Sequence, residues 1–126
     1  MNEPFLVTGA LAAFGGLAHG FLGERIILIP LTRRAELPST RFGGSRQTAM
    51  MLRFTWHFFS VVMLSLAVVF LALGTGAIGG GDWIVVRVLA GYFAVFGVLV
   101  LVLSLGRHFA WLLGLAAAVA AWLGTL

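Results

Sequence analysis

Residues 52–73 read LRFTWHFFSVVMLSLAVVFLAL, and this stretch decides the fold class. It is apolar over the length that an α-helix needs to cross the hydrocarbon core of a bilayer, roughly 20 residues. Three further runs have the same character: about 5–28, about 84–105 and about 109–125. Pro30 is expected to end the first helix, because proline has no backbone N–H for the helical ladder. The pattern predicts an all-α integral membrane bundle of four transmembrane helices, with residues 1–126 as a single domain.

The composition supports a protein whose outside is as apolar as its inside. Apolar residues make up 61% of the chain and charged residues 10%, against about 45–50% and 25% in soluble domains. A mean hydropathy of +1.09 is too high for the apolar residues to hide in the core of so small a globule. The chain has no cysteine, which excludes disulfides and thiolate metal sites.

The arginines predict the orientation of the bundle and argue against a nucleic-acid partner. The net charge is +4, but five arginines fall in or beside the polar stretch at about 32–51: Arg33, Arg34, Arg41, Arg46 and Arg53. In a membrane protein such a loop marks the cytoplasmic side. Arg107 agrees, so both termini are expected outside (N-out, C-out), and Arg87 is expected to reach Asp82 or the headgroups. The expected partner is the lipid bilayer, with no nucleic acid.

Three histidines lie at a similar depth once this orientation is applied. His19 lies late in the first helix, His57 early in the second and His108 at the start of the fourth, so all three fall in the cytoplasmic half. Glu24 belongs to the same layer. Ionisable groups in membrane segments are rare, and they are functional candidates by default. The residues expected around them are Arg53, Trp56, Ser60 and Trp111.

Glycines give the first helix a face of small residues. Gly16 and Gly20 form a small-xxx-small pair, and Gly23 continues this face toward the end of the run. Such a face lets another backbone approach closely, or lets a flat ligand lie against the helix. We expect these three glycines to serve helix packing, with His19 at the border of the face.

Two kinds of cofactor fit this layer of side chains. Neutral imidazole is the commonest metal ligand and also the axial ligand of haem. Three histidines could hold Fe, Cu or Zn with an open position, and Glu24 would be a fourth ligand or would fix a histidine. Alternatively, two histidines on facing helices could hold a tetrapyrrole. The leading hypothesis is a redox or metal-handling component of the membrane, and whether it is an enzyme on its own stays uncertain. Under this hypothesis the purified protein carries a metal or shows a Soret absorbance, and His57→Ala is expected to abolish it.

Other interpretations of the same residues stay open. Glu24 can pair with Arg53 or Arg25, and each histidine can bond a carbonyl or serine, which would make the layer structural. The protein would then be an accessory or assembly subunit of a larger membrane complex, with the glycine face as a protein–protein surface. Under either the cofactor-binding hypothesis or the accessory-subunit hypothesis, the protein is also expected to form a homo-oligomer. A third interpretation is a small proton-coupled transporter that uses Glu24 and the histidines as a relay.

Three short motifs resemble those of small, uncharacterised bacterial four-helix membrane proteins: H-x-x-x-G-E-x-x-x-x-x-P-L, W-H-x-x-S and G-H-P-x-W. The matching positions are His19, Gly23, Glu24, Pro30, Leu31, Trp56, His57, Ser60, His108 and Trp111. The chain departs from the third motif at Arg107 and Phe109, where glycine and proline are usual. The resemblance implies a multi-pass protein of the bacterial inner membrane, and it names no reaction.

Overall fold

The computed structural model describes residues 1–34, 36–39, 41, 43–79 and 83–126, and over these residues it contains helices and no strands. The elements are α1 (Glu3–Leu22), a π-helical turn (Gly23–Leu28), α2 (Ile29–Arg34), α3 (Gly44–Thr75), α4 (Trp83–Leu103) and α5 (Ala110–Leu123). α1, the π turn and α2 follow one another without a break, so the described residues form four helices. The all-α class is confirmed.

Three of these helices are long and apolar enough to cross a membrane: Glu3–Arg33, Gly44–Thr75 and Trp83–Leu103. The fourth, α5, is apolar but has only 14 residues, about 21 Å of helix. That is shorter than a hydrocarbon core of about 30 Å. The three helices indicate a helical membrane protein, whereas a full crossing by α5 and the N-out, C-out orientation stay predictions.

The first helix does not end at Pro30, as the sequence led us to expect. The Ile29 N–H bonds to the Glu24 carbonyl, five residues earlier, so the turn before the proline is wider than an α-helical one. A proline ring clashes with the carbonyl of the preceding turn in a regular α-helix. The wider turn relieves this clash, and the helix continues to Arg34.

The other helices do not begin and end with the predicted apolar runs, because polar residues can extend a helix beyond its apolar part. α3 begins at Gly44 rather than near residue 52, so the second part of the expected basic loop is helical. The Thr48 hydroxyl donates to the Pro38 carbonyl at 2.6 Å and ties this first part of α3 to the loop. α4 ends at Leu103, because Leu105 and Gly106 take positive φ angles of 52° and 76° in the turn to α5.

Hydrogen bonds at one end of the bundle fix the order of the helices. The Asn2 backbone N–H donates to the Gly74 carbonyl at 2.8 Å, and the Asn2 side chain donates to the Gly124 carbonyl at 2.9 Å. α1 thus lies between α3 and α5, and α4 packs on α5 as a hairpin. We call this end the termini end. The opposite end, where α2, the start of α3 and the α4–α5 turn lie, is the arginine end.

The α4–α5 hairpin is shorter than the α1–α3 pair at the arginine end. The rings of Phe59 on α3 and Phe96 on α4 stand 5.5 Å apart, which sets these two residues at one level. From this level α3 runs back to Gly44, whereas α4 runs on only to Leu103. At 1.5 Å per residue, α3 extends about 12 Å beyond the end of α4.

Candidate functional site

A carboxylate at the π turn joins the first helix to α3. Glu24 Oε1 accepts from Arg53 Nη2 at 3.1 Å, and Glu24 Oε2 lies 3.0 Å from His57 Nε2. Arg53 Nη2 also donates to the Thr32 hydroxyl at 3.4 Å. All three side chains are partly exposed, with 27% of the Glu24 side chain and nearly half of the Arg53 and His57 side chains accessible. Of the two partners expected for Glu24, the structure thus contains Arg53, and Arg25 lies over the Phe21 ring instead.

The π turn accounts for two contacts that an ideal α-helix would not make together. His19 and Glu24 are five residues apart, which corresponds to about 140° around an α-helix. Both side chains nevertheless contact α3, His19 through Ser60 and Glu24 through His57. The helix changes from α to π between them, at Gly23. Single π turns inside helices are frequent at functional sites.

His19 is held by α3 on several sides. Its Nδ1 lies 2.9 Å from the Ser60 hydroxyl oxygen. Its ring stacks on the Trp56 indole with centroids 4.4 Å apart and planes within 8°, and the Phe59 ring stands at 63° to it with the centroids 5.0 Å apart. Trp56 Nε1 donates to the backbone carbonyl of His19 at 2.8 Å. The imidazole therefore has one fixed orientation.

The hydrogen bonds around Ser60 favour the tautomer of His19 in which both can be made. The Ser60 hydroxyl oxygen lies 3.3 Å from the Trp56 carbonyl oxygen and 2.9 Å from His19 Nδ1, and which of these two atoms receives its proton depends on the tautomer of His19. For both bonds to be made, His19 Nδ1 carries the hydrogen and donates it. Nε2 then has a free lone pair, and no described residue hydrogen-bonds to it. This is the tautomer of a metal-ligating histidine whose second nitrogen is fixed by a hydrogen bond.

Gly16 and Gly20 of α1 and Gly23 of the π turn face α3 within the same chain. A Cβ on Gly16 would lie 3.1 Å from the Met63 Cβ, and one on Gly20 would lie 3.2 Å from the Ser60 hydroxyl oxygen. A Cβ on Gly23 would collide with the Trp56 indole. This face is therefore occupied by α3, and an accessory subunit would have to bind its partner through another surface.

A cavity of about 620 Å³ lies between α1, α3 and the α4–α5 hairpin, toward the arginine end. Its walls are almost entirely apolar and include Gly15, Met63, Phe93 and Phe96. The residues on it with polar side chains are His19, Trp56, Ser104 and His108. No acidic side chain lines it among the residues described. Two of the three histidines thus border one cavity, His19 from α1 and His108 from the turn before α5.

His108 lies on the rim of this cavity, in the turn before α5. Its backbone N–H donates to the Ser104 hydroxyl oxygen at 3.3 Å, and its Nδ1 accepts from the Ala110 N–H at 3.2 Å. Because Nδ1 is an acceptor, the neutral ring carries its proton on Nε2. His108 is therefore a hydrogen-bond donor, in contrast to His19, and Trp111 one turn on donates to the Gly106 carbonyl at 3.3 Å.

His57 does not join the other two histidines. It lines a separate shallow groove with Met50, Arg53 and Phe54, and its Nε2 is engaged with Glu24. Within the parts of the chain that the structure describes, no group of three His, Cys, Asp or Glu side chains could hold a metal ion. The arrangement gives no support to an Fe, Cu or Zn site built from three histidines and Glu24. The three histidines lie at a similar depth along the bundle, but His57 does not face the cavity that His19 and His108 line.

Two other features differ from what the sequence predicted, one at the termini end and one at the cavity. Arg87 donates from Nε to the Thr125 hydroxyl at 3.2 Å and lies over the Trp122 ring, while its expected partner Asp82 is outside the described residues. Sequence reasoning missed the contribution of α4, which supplies Phe93, Phe96 and Ser104 to the cavity. The only signal for Ser104 was a serine at the end of an apolar run.

Comparisons with known proteins add no identification to this geometry. A scan against protein-family models and searches of curated proteins and of solved structures returned no match. The function is therefore inferred from the residues around the cavity and the π turn.

Proposed function

We propose that the protein binds a tetrapyrrole such as haem in the cavity, with His19 Nε2 as the ligand of the iron. The observation that carries this proposal is the position of His19, which lines the cavity, whose Nδ1 lies 2.9 Å from the Ser60 hydroxyl oxygen, and whose Nε2 no described residue hydrogen-bonds. The protein would serve as a redox or cofactor-handling component of the bacterial inner membrane rather than as an enzyme on its own.

The size and lining of the cavity support a large, flat, mostly apolar ligand. Pockets for small molecules and cofactors measure about 300–1,000 Å³ and are mainly apolar with a few placed polar groups. At about 620 Å³ the cavity lies inside this range. Gly15 and the aromatic rings of Phe59 and Phe96 offer smooth apolar surfaces, and aromatic faces stack well on planar rings.

The surroundings of His19 suit a ligand to iron. A hydrogen bond from the second imidazole nitrogen fixes the tautomer and raises the basicity of the ligating nitrogen. Here the acceptor is Ser60, and Trp56 restricts rotation of the ring. Bound haem would supply one-electron chemistry, while the chain would orient the ring and exclude water from it.

The test is a visible spectrum of the purified protein titrated with haem in a mild neutral detergent. We expect a Soret band that saturates near one haem per chain and a loss of affinity of at least tenfold in His19→Ala, because axial ligation is removed. His57→Ala is the matched control. It removes a histidine from α3 that does not border the cavity, so its Soret band should persist.

Two results would overturn the proposal. One is a wild-type protein that stays folded by circular dichroism and yet shows no saturable Soret band. The other is equal haem affinity of His19→Ala and the wild type. A loss in His57→Ala alone would move the ligand to the groove beside Glu24 and would equally contradict the role given to His19.

A further inference from the structure

We infer that the ligand of the cavity carries a carboxylate, and that this group lies at the arginine end, where the His108 Nε2–H and the Ser104 hydroxyl donate hydrogen bonds to it. This inference rests on the proposed function and narrows the ligand to a tetrapyrrole with free acid groups. It also gives His108 a role other than that of a second iron ligand.

The polar atoms on the rim are donors that lack acceptors. His108 Nδ1 is occupied by the Ala110 N–H, which leaves the Nε2–H as the remaining polar atom of the ring. The Ser104 oxygen accepts from the His108 backbone, yet its own O–H has no acceptor in the described ranges. By contrast, the Ser60 and Ser65 hydroxyls both donate to carbonyls one turn back. Both donors lie on the exposed rim, where they can bond an acceptor on the part of a ligand that projects from the apolar cavity toward water.

The charge around the rim favours an anionic acceptor over a neutral one. Every arginine other than Arg87 belongs to the arginine end, and Arg107 directly precedes His108. Of the two carboxylates at this end, Glu24 is paired with Arg53 and Glu36 lies in the loop. Hydrogen bonds to a charged acceptor are about twice as strong as neutral ones. A carboxylate therefore gains both from the donors and from the positive surroundings.

The spacing between the two ends of the site suits such a ligand. His19 packs against Phe59, which is level with Phe96 on α4. Ser104 follows Phe96 toward the arginine end by about 12 Å of helix. A tetrapyrrole whose ring lies at the level of His19 would direct its acid side chains to this rim. The interval is lined with apolar residues, among them Val100 and Leu103.

The experiment compares two probes that share ring and iron and differ only in charge: ferric protoporphyrin with free carboxylates, and its dimethyl ester. Both are titrated into the full-length protein in neutral detergent, followed by the Soret band and by tryptophan fluorescence. We expect the wild type to bind the acid about tenfold more tightly than the ester. In His108→Phe and in Ser104→Ala the affinity for the acid should fall severalfold, while that for the ester and the Soret wavelength stay unchanged.

Ser65→Ala is the matched control for Ser104→Ala, because its hydroxyl lies on the same kind of helix surface away from the cavity. It should change neither affinity. Adding phosphatidylglycerol to the detergent distinguishes a ligand carboxylate from a lipid phosphate at the same donors. If the lipid abolishes the difference between acid and ester, the donors serve a headgroup and the inference fails.

The other outcomes separate the inference from the proposed function. Equal affinity of the wild type for acid and ester would overturn the inference and leave haem binding by His19 intact. A shift of the Soret band in His108→Phe with both probes would show that His108 ligates the iron, which also contradicts a donor role. If neither probe binds the folded wild type, the proposed function itself is wrong.

Discussion

At the scale of single residues, Ser60 decides what His19 can do. When its hydroxyl proton goes to the Trp56 carbonyl, its oxygen accepts from His19 Nδ1, and Nε2 keeps the lone pair that a metal ligand needs. The sequence indicated His19 and Ser60 as members of one layer. It could not indicate that they touch, because the contact depends on how α1 and α3 are rotated against each other.

Ser60→Ala should therefore weaken haem binding without removing the ligand. The alanine leaves Nδ1 without its acceptor, and loss of such a partner costs about 10–100-fold in metal affinity in comparable sites. Haem titration measures the effect, and Ser65→Ala gives the baseline for losing a hydroxyl from α3. An unchanged affinity would show that the tautomer of His19 has no bearing on the site.

Glu24 is the residue whose replacement should reveal the strength of the link between the first helix and α3. Glu24→Gln removes the charge that faces Arg53 and His57, and it should lower stability by about 1 kcal/mol, since partly exposed ion pairs contribute little more. The measurement is the midpoint of thermal unfolding in detergent at low and high salt. The loss should shrink at high salt, and a salt-independent loss would contradict an ionic origin.

At the scale of elements, the apolar runs predicted which segments are helical but not where two of them end. α3 begins well before its apolar run, since polar residues beside a membrane can also be helical. The π turn was not predictable from hydrophobic periodicity, which assumes 3.6 residues per turn. Proline was interpreted as a stop because its effect in a regular α-helix is known, and the wider turn changes that effect.

The closeness of α1 and α3 gives a prediction with a control inside the chain. Gly23→Ala should destabilise the bundle by about 1–3 kcal/mol, because its Cβ collides with Trp56 and overpacking of this kind has that cost. Gly91→Ala, on α4, places its Cβ where no described atom lies within 4 Å. It should be neutral or slightly stabilising, since alanine is the better helix former.

Thermal unfolding of these two variants and the wild type tests the packing directly. Haem affinity gives a second readout, because displacement of Trp56 disturbs the stack on His19. Equal unfolding midpoints for Gly23→Ala and Gly91→Ala would mean that α1 and α3 are not in close contact at this level.

At the scale of the whole molecule, the sequence predicted how far along the bundle each histidine lies better than it predicted the direction in which its side chain points. The three histidines were placed in one half of the bundle, and His19 and His108 do border the same cavity, whereas His57 faces Glu24. Depth follows from the position of a residue along its helix. The direction of a side chain around the bundle depends on contacts between helices that are distant in sequence, and a single sequence does not contain them.

The predicted orientation can be tested because the chain has no cysteine. Ser39→Cys places a thiol at the arginine end and Gly79→Cys places one at the termini end. In intact cells a membrane-impermeant maleimide should label the second variant and spare the first, because the basic loop is expected in the cytoplasm. Permeabilised cells supply the control in which both are labelled, and the reverse pattern in intact cells would invert the topology.

The short α4–α5 hairpin has a consequence for how a ligand would arrive. Because α4 ends about 12 Å before the end of α3, the opening of the cavity would lie near the depth of the lipid headgroups once the three long helices span a bilayer. A hydrophobic cofactor dissolved in that leaflet would reach the opening by lateral diffusion, and its concentration there would be set by partition into the bilayer. Occupancy in a cell would then follow the amount of cofactor per lipid, so that the same protein could be saturated in one membrane and nearly empty in another.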